Sequence, residues 1–326
     1  MLKSSHPKSH RLAQVLWDIW CVFSVVGIWP RYIEPNYLVG KKRTIFLSNL
    51  HPSLEGLKIL HLSDLHFSPN ISSFFLKQLA NKIKTCQADL ILYTGDLLTY
   101  GKIGEEDTLH EILKHWKAPL GTWAVLGNHD YEHYISAHRL KGPMIVKGQP
   151  FPLFLKLLQR FWPKYCEEYQ QNFDKLSLHP RIHDIYNQHN INLLRNTCVK
   201  IPVGKSAIQV VGLGDLWAKD CQPHQALRQC NKNLCTLVLS HNPESMDLLD
   251  PYTIDVMFSG HTHGGQVKLA NLRSLFFPYE KHRFIQGLYQ QANHYLHVSS
   301  GIGSHIPFRW FCPPSIELLT LKRINK

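Results

Sequence analysis

Five short segments of this 326-residue sequence carry side chains that could bind metal ions. Taken alone, each has an ordinary explanation, because a helix cap, a turn or a buried histidine accounts for any one of them. Their combination and order favour a hydrolytic metal centre built from carboxylate, imidazole and amide groups. The segments are Asp64 with His66, Gly95 with Asp96, and residues 127–130, 240–243 and 260–264.

The kinds of side chain in these segments indicate which metals they would bind. Oxygen and imidazole ligands together suit manganese, iron or zinc better than calcium, and the five segments contain no cysteine for a structural zinc site. Two-metal centres hold their ions roughly 3.5–4 Å apart and hydrolyse phosphate esters by in-line displacement. A bridging carboxylate can hold two cations this close, and Asp96 is the candidate bridge. We therefore expect two divalent ions, with manganese favoured and iron or zinc as alternatives.

Each segment follows a stretch that is predicted to be a strand. Side chains two residues apart on an extended backbone point the same way, so Asp64 and His66 are expected to face one ion, as are His261 and His263. Early strands alternate with helices and later strands crowd together, which predicts a layered α/β sandwich with its chemistry in loops at strand ends. The predicted strands are 57–62, 88–93, 123–126, 207–212, 234–240, 256–259, 294–298 and 316–321, and the first predicted helix is 72–85.

Residues 1–40 differ from the rest and are predicted to form a membrane-associating segment. Basic residues precede an apolar stretch at 12–29, which Pro30 ends. The stretch is at the lower length limit for a membrane span, and Asp18 within it would cost about 3 kcal/mol at the bilayer centre. It could span as a signal anchor, lie in the interface with its tryptophans at headgroup level, or cover the core as a buried helix. Composition favours the interfacial position.

Residues 41–326 are expected to form one domain with an insertion at about 131–189. A stretch of this length inside one loop should have its own structure and a role. Its most apolar part, residues 151–162, is interpreted either as a helix packed on the body or as a helical lid that dips into a membrane beside the site. The sequence leaves both interpretations open.

Charge and cysteine usage limit the partners. The formal net charge is +12, which favours an anionic partner such as a membrane surface, a phosphorylated substrate or nucleic acid. No nucleic-acid-binding module is recognised, so a nuclease is disfavoured and no nucleic-acid partner is expected. The eight cysteines form no C-x-x-C pair, and their scatter suits free thiols in a reducing compartment.

The order of the segments, D-x-H, G-D, G-N-H-D, H and G-H-x-H across residues 57–265, resembles the calcineurin-like metallophosphoesterase superfamily. This resemblance implies a four-layer αββα sandwich. Residues 300–303 and 307–314 resemble a subgroup of membrane-associated bacterial phosphoesterases, in which Glu often stands where this chain has Ser315, so that position is assigned no role. The whole chain is similar to the UDP-2,3-diacylglucosamine pyrophosphatases of lipid A synthesis.

The superfamily pattern implies a role for each matching residue. One ion would be bound by Asp64, His66, Asp96 and His263, and the other by Asp96, Asn128, His241 and His261. His129 would bind no metal, and would stabilise the transition state and protonate the leaving oxygen, while Asp130 would orient His129. Arg195 and Arg309 are candidates for contacting a diphosphate, although a structural arginine is the stronger interpretation of each.

The resemblance also implies an activity and a location. The enzyme would hydrolyse the diphosphate of UDP-2,3-diacylglucosamine, giving UMP and 2,3-diacylglucosamine 1-phosphate. It would act on the cytoplasmic face of the inner membrane, either peripherally or anchored by its N-terminal segment, with an anionic membrane surface and an acylated nucleotide sugar as partners. The alternatives are a membrane phosphodiesterase or lipid phosphatase of other specificity and a non-catalytic scaffold, which the complete ligand set argues against. The oligomeric state is left open.

Overall fold

The computed structural model describes residues 7–68, 71–99, 106–138, 142–147, 168–268, 283–291, 294–304 and 306–324. The strands are β1 Val39–Leu47, β2 Lys58–Leu62, β3 Leu90–Thr94, β4 Thr122–Val125, β5 Tyr134–His138, β6 Gly142–Lys147, β7 Glu168–Gln170, β8 Ile191–Leu193, β9 Thr197–Val203, β10 Ser206–Gly212, β11 Cys235–Leu239, β12 Val256–Ser259, β13 Gly287–Gln291, β14 His294–Val298 and β15 Ser315–Arg323. The α-helices are α1 Pro7–Phe23, α2 Ser73–Cys86, α3 Glu106–Leu113, α4 Ile182–Gln188 and α5 Pro223–Leu227.

Two six-stranded sheets form the body of the fold. The first has the order β1-β15-β2-β3-β4-β8 and is parallel except between β15 and β2. The second has the order β13-β14-β12-β11-β10-β9, with β14, β12, β11 and β10 parallel and an antiparallel strand at each edge. Because the central strands of each sheet are parallel, their carboxyl ends lie at the same end of the sheet.

The sheets pack face to face across one apolar core, and helices pack on their outer faces. Leu92 of β3 and Leu237 and Phe258 of the second sheet belong to the core between the sheets. The apolar faces of α2, α3 and α4 pack on the other side of the first sheet, and α5 packs on the outer side of the second. Central strands are therefore covered on both faces, which explains their continuous apolar sequences. The predicted α/β sandwich is confirmed.

The N-terminal helix lies outside this core. α1 continues as a π-helix, Ser24–Ile33, which is followed by a 3-10 turn, Glu34–Asn36. All the side chains at 14–23 are exposed, including Trp17 at 64% and Trp20 at 53%. These exposed side chains contradict the interpretation of this stretch as a buried helix, because residues 14–23 bury no apolar face against the body. In the described part of the chain, no helix has both the length and the apolar character needed to cross a membrane.

The described part of the insertion combines a small sheet with two short helical segments, the 3-10 turn Phe173–Lys175 and helix α4. Strands β5, β6 and β7 form a third, antiparallel sheet. Met144, Ile145 and Val146 are buried in it, and Ile and Val favour strands because their branched side chains pack well on a pleated surface. Ile135 of β5 packs near Trp217 and Ala218 of the body. The apolar stretch predicted to form a lid, 151–162, lies outside the described residues.

Candidate metal centre

The five segments meet where the two sheets present the carboxyl ends of their strands. Residues 63–66, 95–96 and 126–130 follow β2, β3 and β4, which are parallel neighbours in the first sheet. Residues 240–242 and 260–263 follow β11 and β12, parallel neighbours in the second sheet. The His241 imidazole connects the loops of the second sheet to the first sheet, because its Nδ1 lies 2.7 Å from the carbonyl oxygen of Thr94 in β3.

The backbone of the site is left-handed at its ligands, which corrects one expectation. Asp64 and His66 were expected to face one ion from an extended strand, but β2 ends at Leu62 and both residues have positive φ, 54° and 47°. Asp96, His261 and His263 share this conformation, which is uncommon for residues other than glycine. Hydrogen bonds between the loops stabilise it, including those from the N–H of Asp64 and His66 to the carbonyls of Gly95 and Asp96, both 3.0 Å.

Two glycines allow the backbone to pass directly beside ligand carboxylates. A Cβ on Gly127 would overlap Oδ1 of Asp96, and a Cβ on Gly260 would overlap Oδ2 of Asp64. Any larger residue at these positions would displace a carboxylate from the site. The glycines predicted to permit close approach are therefore required for steric reasons.

The first group of donors surrounds one point with four buried side chains. Ligand atoms of Asp64, His66, Asp96 and His263 all lie within 4.8 Å of one another. The Nε2 atoms of His66 and His263 are 3.1 Å apart. Nε2 of His66 is also 3.3 Å from Oδ2 of Asp96, and Nε2 of His263 is 3.6 Å from Oδ1 of Asp64. These are the four residues predicted for the first ion.

The second group of donors shares Asp96 with the first. Oδ1 of Asn128 lies 3.0 Å from both Nε2 of His241 and Nδ1 of His261. Nε2 of His241 is 3.3 Å from Oδ2 of Asp96, the same atom that lies 3.3 Å from His66. A single carboxylate oxygen therefore stands between the two groups, where a bridging ligand would be.

Hydrogen bonds made by the far side of three ligands show that the site fits cations. Nδ1 of His241 donates to the Thr94 carbonyl, and Nδ1 of His263 lies 3.2 Å from the Gly303 carbonyl, which can only accept a hydrogen bond. The Asn128 amide donates to the carbonyl of Ile135 at 2.7 Å. In neutral side chains these bonds leave Nε2 of His241 and Oδ1 of Asn128, 3.0 Å apart, as converging acceptors in the second group. In the first group they leave Nε2 of His263 as an acceptor that faces the Asp64 carboxylate. Converging acceptors repel unless a cation lies between them, and such outer bonds orient metal ligands.

Burial and neighbouring charges shift the pKa values of the ligands. Burial raises the pKa of Asp64 to about 6. Burial alone would lower the pKa of His241, but the Asp96 carboxylate outweighs it and raises that pKa to about 10. For Asp96, burial acts to raise the pKa, but His241 and His129 hold it well below its usual value. The site therefore concentrates ionisable groups whose buried charges bound cations would offset.

His129 and Asp130 lie against the bridging residue. The backbone N–H of His129 donates to Oδ1 of Asp96 at 2.8 Å, and the His129 ring stacks on Tyr134 and meets the edge of His66. The Asp130 carboxylate accepts hydrogen bonds from backbone N–H groups at 2.8–3.2 Å, which gives it a direct role in shaping the loops. Its orienting role toward His129 stays a prediction. The four donors are Asp96, Leu97, Leu98 and Gly127.

The two candidate arginines have structural partners. Arg195 pairs with Asp220, its Nε lying 2.6 Å from the carboxylate. Arg309 is fully buried, and its guanidinium donates to carbonyls that include those of Ser300 and Cys312 at 2.9 and 3.1 Å. Its buried donors, bound to the backbone, favour a structural role, and its contact with a diphosphate stays a prediction. For Arg195 the ion pair favours a structural role.

Two residues near the second group were not singled out from the sequence. The Trp217 ring meets His261 edge to face, with ring centroids 4.2 Å apart. Asp215 is fully buried, accepts the N–H of Ala218 at 2.7 Å, and has its pKa raised to about 7 by burial. A signal was available, because Gly214 and Asp215 follow closely after β10, just as Gly95 and Asp96 follow β3.

Comparison with known proteins agrees with this geometry. Residues 57–265 match the calcineurin-like phosphoesterase family. The chain is 32% identical over 305 residues to the UDP-2,3-diacylglucosamine pyrophosphatase LpxG of Chlamydia muridarum, covering 90% of this chain and 92% of that protein. It is 31% identical over 309 residues to LpxG of Chlamydia trachomatis, with the same coverage, and 27% identical over 293 residues to the phosphodiesterase YaeI of Escherichia coli, covering 89% and 90%. The chain therefore belongs to the calcineurin-like phosphoesterase family and is a metal-dependent hydrolase.

Proposed function

We propose that this enzyme hydrolyses the diphosphate of UDP-2,3-diacylglucosamine, giving UMP and 2,3-diacylglucosamine 1-phosphate in lipid A synthesis. The observation that carries the proposal is the extent of the similarity to LpxG. It covers 90% of the chain, beyond the 57–265 region that matches the family, and its 32% identity is higher than the 27% identity to YaeI at similar coverage. The parts outside that region would include surfaces that select a substrate, since the metal centre alone serves many phosphate esters.

The residues of the site would have separate roles in this hydrolysis. Two divalent ions, manganese first among the candidates, would supply an activated water and neutralise charge on the phosphate oxygens. Asp96 would hold the two ion sites together through the one oxygen shared by both groups of donors. His129, beside His66 and outside both groups, would donate a proton to the leaving oxygen. Its backbone bond to Asp96 ties that proton donor to the bridging carboxylate.

A membrane-bound position at the cytoplasmic face of the inner membrane would bring the site to this lipid. The exposed apolar residues of α1 support it, since Val15, Leu16, Ile19 and Val22 are each more than half exposed. Exposed apolar area of this extent marks an interaction surface. Lying in the interface, the helix would bury these side chains among acyl chains while the basic residues near the N-terminus meet anionic headgroups.

Purified enzyme loaded with manganese tests the proposal directly. We expect cleavage of UDP-2,3-diacylglucosamine in mixed micelles, with UMP and the lipid 1-phosphate as products in equal amounts by mass spectrometry. The matched substrate is UDP-glucosamine, which has the same diphosphate and no acyl chains, and we expect its turnover to be far slower. Asp96→Asn serves as the inactive control, so that cleavage by a contaminant is recognised.

Three results would contradict the proposal. Equal rates with and without acyl chains would show that the enzyme does not select a lipid. Cleavage of simple phosphodiesters alone would favour the second candidate, a membrane phosphodiesterase, which the similarity to the phosphodiesterase YaeI supports. Metal binding without turnover of any phosphate ester would favour the non-catalytic scaffold.

A further inference from the structure

A carboxylate from the N-terminal segment is buried against the C-terminal part of the chain. Glu34 is only 3% exposed, and its carboxylate accepts the indole N–H of Trp29 at 2.8 Å. It also accepts the backbone N–H of Phe311 at 3.0 Å and that of Cys312. A buried carboxylate is tolerated only when donors satisfy it, and here two of the three donors come from the far end of the chain.

Two further hydrogen bonds attach the same segment to the same C-terminal loop. The backbone N–H of Arg309 donates to the carbonyl of Pro30 at 2.8 Å. The Arg31 guanidinium donates to the carbonyl of Pro307 at 3.2 Å. Residues 29–34 are therefore docked along residues 307–312, and the helix that precedes them is connected to the body through this contact.

The docked loop in turn holds a second loop, residues 300–303, through the side chain of Arg309. The guanidinium donates to the carbonyl of Ser300 at 2.9 Å and to that of Gly303 at 2.5 Å. It also donates to the carbonyl of Cys312, which belongs to its own loop. One planar side chain thus fixes the distance between the two loops, because its donors form a rigid fork.

The second loop contacts two ligands of the first candidate ion. The Gly303 carbonyl lies 3.2 Å from Nδ1 of His263, and the Gly303 N–H donates to the Asp64 carbonyl at 2.6 Å. The thiol of Cys312 lies 3.4 Å from the carbonyl of His263. A continuous series of hydrogen bonds therefore runs from Glu34 through Arg309 to His263.

We propose that Glu34 and Arg309 are positioning residues for one of the two ion sites, the one formed by Asp64, His66, Asp96 and His263. Residues 29–34 are then a structural part of the metal centre as well as the link to α1. The second ion site is linked to this path less directly. Its ligands Asn128 and His241 are oriented by Ile135 and Thr94. Only the backbone N–H of His261 reaches the path, through the Asp64 carboxylate at 3.0 Å. This proposal rests on the metal centre described above and does not depend on the identity of the substrate.

The test compares manganese binding in full-length variants. Glu34→Gln keeps the shape of the side chain but replaces the carboxylate with an amide that presents an N–H2 group to backbone donors. We expect the affinity of one ion to fall by about 10- to 100-fold, the range found when groups that orient metal ligands are lost, and that of the other ion to fall clearly less. Chelator competition measures both affinities, and electron paramagnetic resonance distinguishes a coupled ion pair from a single ion.

Matched variants separate positioning from general damage. Glu55→Gln replaces a carboxylate that also accepts a backbone N–H, that of Arg323, but is exposed, and this variant should bind both ions normally. Arg309→Lys keeps the positive charge but loses the fork, and should weaken the same ion as Glu34→Gln. Trp29→Phe removes one donor to Glu34 and should give a smaller loss, which provides a measurable variant if the others fold poorly.

The outcomes distinguish this proposal from the proposed function. Two ions bound with wild-type affinity in folded Glu34→Gln would overturn the positioning role, as would equal weakening of both ions. A wild-type protein that binds no pair of ions would overturn the metal centre and this proposal with it. A wild-type protein that binds two ions but leaves the UDP-lipid intact would overturn only the substrate, and selective loss of one ion in Glu34→Gln would still support the positioning role.

Discussion

The carboxylate of Asp130 accepts a hydrogen bond from the backbone N–H of Asp96 at 2.9 Å, so the residue after His129 fixes the backbone of the bridging ligand. The same carboxylate accepts the N–H of Gly127, Leu97 and Leu98. Two loops that supply ligands, one after β3 and one after β4, are thereby held together by one buried side chain. The loops need such an acceptor because these buried N–H groups have no strand partner at this point.

Asp130→Ala is expected to damage both stability and metal binding. Four buried N–H groups would lose their acceptor, and an unsatisfied buried donor is costly, so the free energy of unfolding should fall by about 3 kcal/mol or more. Asp130→Asn keeps one acceptor oxygen and should lie between the wild type and the alanine variant. Urea unfolding of metal-free protein and metal analysis of folded protein measure the two effects. Wild-type metal content and stability in the alanine variant would contradict this role.

The number of metal ions bound per chain should distinguish substitution of the bridging ligand from substitution of any other ligand. Oδ2 of Asp96 is 3.3 Å from a histidine of each group of donors, so Asp96→Asn should lower the content of both ions. His263→Ala removes a ligand of the first ion only and should leave about one ion per chain. Inductively coupled plasma mass spectrometry after dialysis measures the content, with the exposed Asp247→Asn as control. Two ions retained in Asp96→Asn would refute the bridge.

The residues of the site could be predicted from the sequence, but the backbone geometry that brings them together could not. Polar residues after apolar strands located Asp64, Asp96 and His261, because strand ends of neighbouring parallel strands meet at one edge. The left-handed conformation of these residues depends on hydrogen bonds between loops that are distant in sequence, such as that between Asp64 and Gly95. No local pattern of residues indicates such a contact.

Dependence on contacts between distant segments also explains the structural features that the sequence did not predict. Strand β1 contains Lys41, Lys42 and Arg43, and it is a strand because it pairs in parallel with β15 at the edge of the first sheet. Edge strands tolerate charged residues, so their apolar pattern is weak. Burial of Glu34 and Arg309 was equally hidden, since each is satisfied by backbone groups of segments far away in the sequence.

His129→Ala should separate turnover from metal binding. The contact of His129 with Asp96 is made by the backbone N–H, which the substitution keeps, so both ions should remain. Loss of a general acid typically lowers turnover by about 10²- to 10⁴-fold, and we expect a decrease of that size. Steady-state kinetics together with metal analysis test this, with the exposed His224→Ala as control. Full turnover, or loss of an ion, would show that His129 has a different role.

Stabilisation by metal should grow as the pH rises through about 6. Burial raises the pKa of Asp64 to about 6 in the metal-free fold, above the value near 3.9 of an unfolded chain. Ionised Asp64 therefore reduces the stability of the metal-free protein. This loss of stability in the metal-free protein is absent below about pH 4 and complete above about pH 6. A bound cation offsets this buried charge. Binding must also displace the proton of His241, whose pKa Asp96 raises to about 10 against the opposite effect of burial, and this favours binding at higher pH as well.

The measurement is the difference in Tm between manganese-loaded and metal-free protein at pH 5, 6 and 7.5. We expect a small difference at pH 5 and a clearly larger one at pH 7.5, because the loaded protein keeps the stability that the metal-free protein loses. In Asp64→Asn the difference should be smaller at every pH and should rise less steeply, since that variant has no charge at this position to offset. A difference that is constant with pH, or largest at pH 5, would show that the buried carboxylate does not govern metal binding.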